Sequence, residues 1–178
     1  MASRLARVCR LRYRVRPQEN LGAGMRNFTS IAEMKKAVGS ELGVSDWVDI
    51  TQDRIDAFAR VTGDNQWIHV DTKRAAREMP DGKTIAHGFL TLSLIPHLRD
   101  AIWHLDSVAR GINYGTEKVR FPAPVQVNDR VRMRQTLTSV EPMGEGYKVQ
   151  MRCTLEIEGR DKPACVADTV GILYERTA

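Results

Sequence analysis

The sequence has few cysteines and no long apolar run, and these two absences exclude several classes of protein. Its three cysteines, Cys9, Cys153 and Cys165, follow no metal-binding spacing and are too few for a disulfide-stapled scaffold. We expect Cys153 and Cys165 to be reduced core residues of a cytoplasmic protein; a disulfide between two strands is the alternative. The longest apolar stretch, residues 85–98, is interrupted by polar side chains and a proline. It is also shorter than the ~18 residues of a membrane span, so no membrane association is expected.

The excess of positive charge is confined to the N-terminal segment. The chain has 27 basic and 22 acidic residues, and residues 1–24 contain six arginines but only one acid, Glu19, which leaves 21 of each in the remainder. Nucleic-acid binders usually carry a basic patch on the folded domain, so no nucleic-acid partner is expected. The segment 1–24 is an organelle transit peptide, a disordered basic arm or sequence upstream of a true start at Met25. We favour the last, with one domain over residues 25–178.

The first half of the chain has helix signals. Ser30 and Glu33 form a capping box that predicts a helix over 31–42. A short strand in "DWVDI" is followed by a helix that Thr51 caps and Gly63 ends. Residues 63–71 are predicted to be a loop with an extended "WIHV", after which Asp71 caps a helix over 72–78. Residues 86–105 are apolar on nearly all faces and predict a buried helix, kinked by a proline.

Strand patterns dominate after residue 107. Two strands are expected in "SVARGINYG" and "EKVRF", and three longer ones lie in "RVRMRQTLTSV", "YKVQMRCTLEIE" and "ACVADTVGILYE". Val131, Met133 and Leu137 recur at the two-residue period of a half-buried strand. A buried helix followed by long antiparallel strands predicts an α+β fold, with the sheet wrapped around the helix.

Two acid–base residues occupy the loop before the buried helix. Asp64 and His69 are five residues apart, so in a loop their side chains could hold one water as a general acid–base pair. The alternative is structural: Asp64 caps a turn and His69 is a hydrogen-bonded core histidine.

The start of the buried helix offers a second candidate site. His87 and Gly88 lie where free backbone N–H groups and the positive end of the helix dipole can stabilise a carbonyl oxygen, and glycine permits close approach. Alternatively, Gly88 serves only helix packing. Ser93, Asn113 and Tyr114 are polar residues within apolar segments, so they either line a pocket or satisfy buried backbone groups.

A metal site is the less favoured interpretation of the same loop. His69 and Asp71 form an H-x-D pair of the kind found in non-haem iron enzymes. Those enzymes are usually jelly rolls, whereas here helices follow the motif directly. No metal ligand is therefore predicted.

The segments "FARVTGDNQWIHVD", "TIAHGFLTLSLIPHL" and "NYGTEKVRFPAPVQVNDRVRMR" resemble the MaoC-like dehydratases, or (R)-specific enoyl-CoA hydratases, and within them the nodulation protein N-like group. The resemblance covers about residues 45–175. It implies a hot-dog fold, a long helix wrapped by an antiparallel sheet. It also implies a homodimer and reversible addition of water to a trans-2-enoyl-CoA, giving an (R)-3-hydroxyacyl-CoA.

The resemblance also assigns roles to residues. It implies Asp64 and His69 as the catalytic pair and the Gly88 N–H as oxyanion donor. Beside them, we expect His87, Ser93 and Asn113 to lie near the substrate. No metal or redox cofactor is implied, because coenzyme A, or an acyl-carrier protein in its place, is part of the substrate. A thioesterase or a non-catalytic thioester-binding protein is the alternative. Gln66 and Trp67 depart from the family's D-x-N-P pattern, which puts the chain-length preference in doubt.

Overall fold

The computed structural model describes residues 24–176. In chain order the elements are β1 (Arg26–Phe28), α1 (Ile31–Lys35), β2 (Glu41–Val44), β3 (Val48–Asp49), α2 (Gln52–Thr62), α3 (Trp67–Val70), α4 (Thr72–Glu78), α5 (Gly88–Ser93), α6 (Ile95–Arg99), β4 (Trp103–Leu105), β5 (Val108–Arg120), β6 (Arg130–Met143), β7 (Gly146–Ile157) and β8 (Cys165–Glu175). The predictions made for residues 1–23 lie outside this range. No helix of the described chain is long and apolar enough to cross a membrane.

The main sheet is antiparallel and has six strands. Its order is β2–β6–β7–β8–β5, with β3 also paired to β6. The predicted alternation of β6 is confirmed, because Val131, Met133 and Leu137 are fully buried. The inward side chains of β7 and β8 complete this surface, and α5 packs on β8 while α6 packs on β6. The structure therefore confirms the α+β layout of a sheet packed around a central helical segment.

The central helix is shorter and less buried than predicted. It consists of α5 and α6, separated at Leu94, and the polypeptide then leaves the helix to form β4, which pairs in parallel with β1. The interruption lies beside Pro96, which has no N–H to continue the helical ladder. The prediction of a helix through residue 105 was wrong. Phe89 is 68% exposed, so the helix is also not buried on every face.

Two further predictions were wrong in the first half of the chain. The helix over 31–42 ends at Lys35, because Gly39 adopts a positive φ of 85° and residues 41–44 pair with β6. The segment "WIHV" is the one-turn helix α3, with the Asp71 N–H bonded to the Trp67 carbonyl. By contrast, the helices capped by Thr51 and Asp71 are confirmed, and Gly63 ends the first of them with φ 79°.

The strand β5 forms one edge of the sheet. It is a single strand rather than the two predicted, and it follows β8 through three irregularities in register. Most of its residues are exposed on both faces, including Ile112 and Tyr114. A long exposed edge with apolar side chains is a surface that proteins usually cover by strand pairing.

The two core cysteines are free thiols, as predicted. Cys153 and Cys165 are buried. Burial raises the pKa of the Cys165 thiol to about 11 and also raises that of Cys153, so both are poor nucleophiles. They belong to the packing of the sheet.

Candidate active site

The loop after α2 presents Asp64. Gly63 ends the helix in the left-handed conformation, and the loop turns back so that Asp64 Oδ1 accepts a hydrogen bond from the Gln66 N–H at 3.4 Å. The turn role that the sequence suggested as an alternative is therefore present. It engages one carboxylate oxygen, and the side chain remains 55% exposed. The second oxygen, Oδ2, faces the histidines.

His69 lies in α3, and its ring nitrogen Nδ1 is 2.7 Å from the carbonyl oxygen of Ile85. Because a carbonyl oxygen only accepts, the neutral ring carries its proton on Nδ1, which leaves the Nε2 lone pair free. The residue is only 7% exposed. Burial lowers the pKa of His69 below 6.5, and the nearby His87 contributes in the same direction. These effects outweigh the Ile85 hydrogen bond and the Asp64 charge, which raise it. His69 is thus a neutral base at neutral pH.

A second hydrogen-bonded group holds the backbone of His69. Gln52 Nε2 donates to the His69 carbonyl at 2.8 Å, and the buried Thr84 hydroxyl donates to Gln52 Oε1 at 2.6 Å. Sequence reasoning missed both residues. Gln52 stands three residues before the buried Ile55 on the inward face of α2. A polar residue at an apolar position of an amphipathic helix was the available signal.

His87 contacts both proposed catalytic residues. Its ring stacks on that of His69, with centroids 3.8 Å apart and planes inclined by 28°. Its Nε2 lies 3.0 Å from the Asp64 carbonyl oxygen and 3.9 Å from Oδ2 of the same residue. The ring is 3% exposed, and its Nδ1 is the one buried side-chain nitrogen or oxygen in residues 24–176 without a hydrogen-bond partner.

These three side chains converge on a small volume. One oxygen of Asp64 and one nitrogen from each of His69 and His87 all lie within 4.8 Å of one another. A water that hydrogen bonds to two groups spans about this distance, since each bond is ~2.8 Å. Two acceptors of different basicity around one water form an arrangement suited to general acid–base catalysis.

Cavities lie on both sides of the pair. The one beside Asp64 has a volume of about 400 Å³ and apolar walls from Phe58, Phe89 and Leu92. The other, about 280 Å³, lies beside His69 and includes Gly88 and Phe121. Each member of the pair therefore lines a different cavity.

Of the remaining predicted site residues, some line the cavities and others do not. Gly88 begins α5, so its N–H has no partner within the helix. Ser93 lines the cavity beside Asp64, but its hydroxyl donates to the Leu90 carbonyl at 2.8 Å. Asn113 lies on the exposed strand β5 and lines neither cavity, and neither does Tyr114.

The H-x-D motif does not bring its two side chains to one site. Asp71 of the H-x-D motif is instead the cap of α4, accepting from the Arg74 N–H at 2.9 Å. Asp64, His69 and His87 are close enough to be considered as ligands. However, imidazole binds an ion in the plane of its ring, and two rings stacked 3.8 Å apart with planes 28° apart point their lone pairs in nearly parallel planes.

The fold matches that of known hydratases. The chain superposes on an R-hydratase, PhaJ1, from Pseudomonas aeruginosa with a TM-score of 0.66 at 22% identity, covering 83% of this chain and 86% of that one. It also superposes on an (R)-hydratase from A. caviae with a TM-score of 0.60 at 21% identity, covering 75% and 94%. The expected hot-dog fold is confirmed. Fold and site together define a hot-dog domain with an acid–imidazole pair at its central helix.

Sequence relatives identify the family within that class. The chain is 50% identical over 147 residues to 3-hydroxyacyl-thioester dehydratase Z of Mycobacterium tuberculosis, covering 82% of this chain and 97% of that protein. It is 41% identical over 146 residues to nodulation protein N of Rhizobium leguminosarum bv. viciae, covering 81% and 91%. Residues 33–158 match the MaoC like domain. The chain belongs to this family and is an enzyme of the hydratase/dehydratase type.

Proposed function

We propose that the enzyme adds water reversibly to trans-2-enoyl thioesters and produces (R)-3-hydroxyacyl thioesters. The observation that carries this proposal is that one carboxylate oxygen of Asp64 and one ring nitrogen each of His69 and His87 converge within 4.8 Å, beside an apolar cavity. A relative that shares half of the aligned residues is named as a 3-hydroxyacyl-thioester dehydratase, which supports the substrate class. The R configuration is expected from the resemblance to the (R)-specific hydratases.

In the proposed hydration step, Asp64 Oδ2 and His69 Nε2 each accept a hydrogen bond from one O–H of the same water. The water oxygen then bonds to C3 of the enoyl thioester as one of the water protons moves to its acceptor. The electron pair of the C2–C3 double bond shifts toward C2 and the thioester carbonyl. The conjugate acid formed on Asp64 or His69 protonates C2, so the product gains one hydroxyl and one hydrogen. Dehydration follows the same path in reverse.

Gly88 is the proposed donor to the thioester oxygen. Charge develops on that oxygen as C3 is attacked, and a backbone N–H at the first residue of α5 can stabilise it. Gly88 also lines the cavity that contains His69. No metal or redox cofactor has a step in this scheme, because the carboxylate, the imidazole and the amide account for every proton and charge.

The acyl group is proposed to occupy the cavity beside Asp64, whose walls are mainly apolar. Trp67, the departure from the family motif, has the Arg74 guanidinium 4.1 Å from its ring centroid, and Arg74 also pairs with Glu78. The tryptophan is thus fixed beside the catalytic loop, where it can influence acyl selection. The acyl group can be carried by coenzyme A or by an acyl-carrier protein, so the activity on both kinds of thioester should be compared.

We also propose a homodimer formed through β5. This edge is long and carries Ile112 at 47% and Tyr114 at 60% exposure, and a second copy would satisfy its free N–H and C=O groups. Light scattering at micromolar concentration is expected to give the mass of two chains. The mass of one chain would contradict this part of the proposal.

The test uses the full chain and crotonyl-CoA, with the loss of enoyl-thioester absorbance as the signal. The wild type is expected to hydrate the substrate and give the (R) product on a chiral column. Asp64→Asn and His69→Ala are expected to lower kcat by about 10²–10⁴-fold each. The same residue changes away from the site serve as controls: Asp100→Asn at the exposed C-cap of α6, and His104→Ala at a half-buried position of β4.

The competing activities give different products. A thioesterase would release free coenzyme A, which a thiol reagent detects, without forming hydroxyacyl thioester. A non-catalytic binder would show neither signal at any acyl length but would still bind the thioester in calorimetry. Either result, obtained across short and long enoyl-CoA and enoyl-acyl-carrier-protein substrates, would overturn the proposed reaction.

A further inference from the structure

We propose that His87 is a positioning residue, which holds the backbone of Asp64 with one edge of its ring and orients the imidazole of His69 with its face. The proposal rests on the assignment of Asp64 and His69 as the catalytic pair. It gives His87 a structural role toward both of them, different from the substrate contact expected from the sequence.

The contact with Asp64 fixes the catalytic loop. His87 Nε2 lies 3.0 Å from the Asp64 carbonyl oxygen, and the two residues are 23 positions apart in sequence. Asp64 itself is exposed, and the three other side-chain hydrogen bonds of its loop are all local, joining residues two positions apart. The bond from His87 is therefore the one that ties Asp64 to the central helix.

The contact with His69 restrains the orientation of its ring. The two imidazoles stack with centroids 3.8 Å apart. The ring of Phe58 also contacts the ring of His87, with centroids 5.1 Å apart. His69 can rotate about its side-chain bonds only by breaking either this stack or the bond to the Ile85 carbonyl. The stack and this hydrogen bond together hold the ring in one orientation.

The hydrogen bonds also define the tautomer of His87. The Asp64 carbonyl can only accept, so the neutral ring has its proton on Nε2. Its Nδ1 then carries a buried lone pair without a partner. An unsatisfied buried acceptor is costly and is seldom retained without a reason. Here the His87 ring bonds to the Asp64 carbonyl and stacks on His69, while its own Nδ1 remains unpaired.

Two variants separate the roles of the edge and the face. His87→Phe keeps an aromatic ring for the stack but removes the N–H donor to Asp64. His87→Gln keeps an N–H donor at a similar reach but removes the ring. Both are expected to lower kcat by about 10–100-fold, with KM within about twofold of wild type, because misplaced catalytic groups slow the chemical step.

The pH profile provides a signature that a packing role alone would not produce. The ionisable groups acting on His69 are His87, which lowers its pKa, and Asp64, which raises it. Both substitutions remove the contribution of His87 while that of Asp64 remains. The acid limb of kcat/KM is therefore expected to move to higher pH in both variants. The control is His97→Gln, which makes the same change at an exposed position of α6 and is expected to alter neither quantity.

A measurement on the wild type covers the case in which a variant does not fold. Nitrogen-15 NMR of the imidazoles is expected to show His69 protonated on Nδ1 and His87 protonated on Nε2. It needs no activity, so it also separates this proposal from the proposed reaction. The opposite tautomer of His87 would overturn the proposal. The proposal would also be overturned if the folded variants had a kcat within twofold of wild type, or if they had a raised KM and an unchanged acid limb.

Discussion

The ring of Phe121 packs against Gly88, the first residue of the central helix. A methyl group added to Gly88 would lie 3.0 Å from two carbons of that ring, closer than side chains normally approach. Phe121 is 39% exposed and forms an edge-to-face pair with Phe89, with centroids 6.0 Å apart. The first residue of the central helix is therefore glycine for a packing reason as well as for any role of its N–H.

Gly88→Ala is expected to push Phe121 outward and to lower kcat/KM by at least tenfold, because the cavity beside His69 changes shape. The free energy of unfolding should fall by about 1–3 kcal/mol, as is typical of overpacking. Enzyme assays and urea denaturation measure the two effects.

Gly88→Ala combined with Phe121→Leu tests the cause. The smaller side chain makes room for the added methyl group, so the double variant should recover stability relative to Gly88→Ala alone. If the two effects simply add, the contact between Gly88 and Phe121 is not the reason for the loss.

The acid limb of activity is expected below pH 6.5. Burial lowers the pKa of His69, so the neutral, proton-accepting form persists as the pH falls and is lost only when the pH passes below this lowered value. The profile of kcat/KM against pH reports ionisations of the free enzyme. If the acid limb lies above pH 6.5 and persists in every histidine variant, it reports the ionisation of another group.

Gln52→Leu is expected to lower kcat by about tenfold. The change removes the donor to the His69 carbonyl and leaves the buried Thr84 hydroxyl without its acceptor. Thr84→Val should act in the same direction with a smaller effect, because Gln52 can still donate to His69. Unchanged kcat in folded Gln52→Leu would remove Gln52 from the group that positions His69.

Gln135→Leu is expected to destabilise the fold without changing the active site. Gln135 is 2% exposed, and its Oε1 accepts from the Trp103 indole N–H at 2.8 Å, while its amide nitrogen contacts Cys153 Sγ. Leaving the indole N–H unpaired should cost about 1–3 kcal/mol in urea unfolding. Adding Trp103→Phe removes the orphaned donor and should recover part of that loss.

Much of the architecture could be predicted because it depends on local chemistry. Alternation in β6 placed Val131, Met133 and Leu137 inside, and the caps Thr51 and Asp71 set the starts of two helices. The errors arose where neighbours in space overrode local pattern. Residues 41–42 and 103–105 were predicted to be helical but became parts of strands, because partner strands were available to pair with them.

The sequence by itself determined the α+β class, the order of its main elements and the presence of Asp64, His69 and Gly88 near one helix start. Tertiary structure alone decided that His87 stacks on His69, that Gln52 holds the His69 carbonyl and that Phe121 covers Gly88. These contacts join residues 17 or more positions apart. Periodicity and capping describe a residue's own element, whereas such contacts depend on how separate elements pack together.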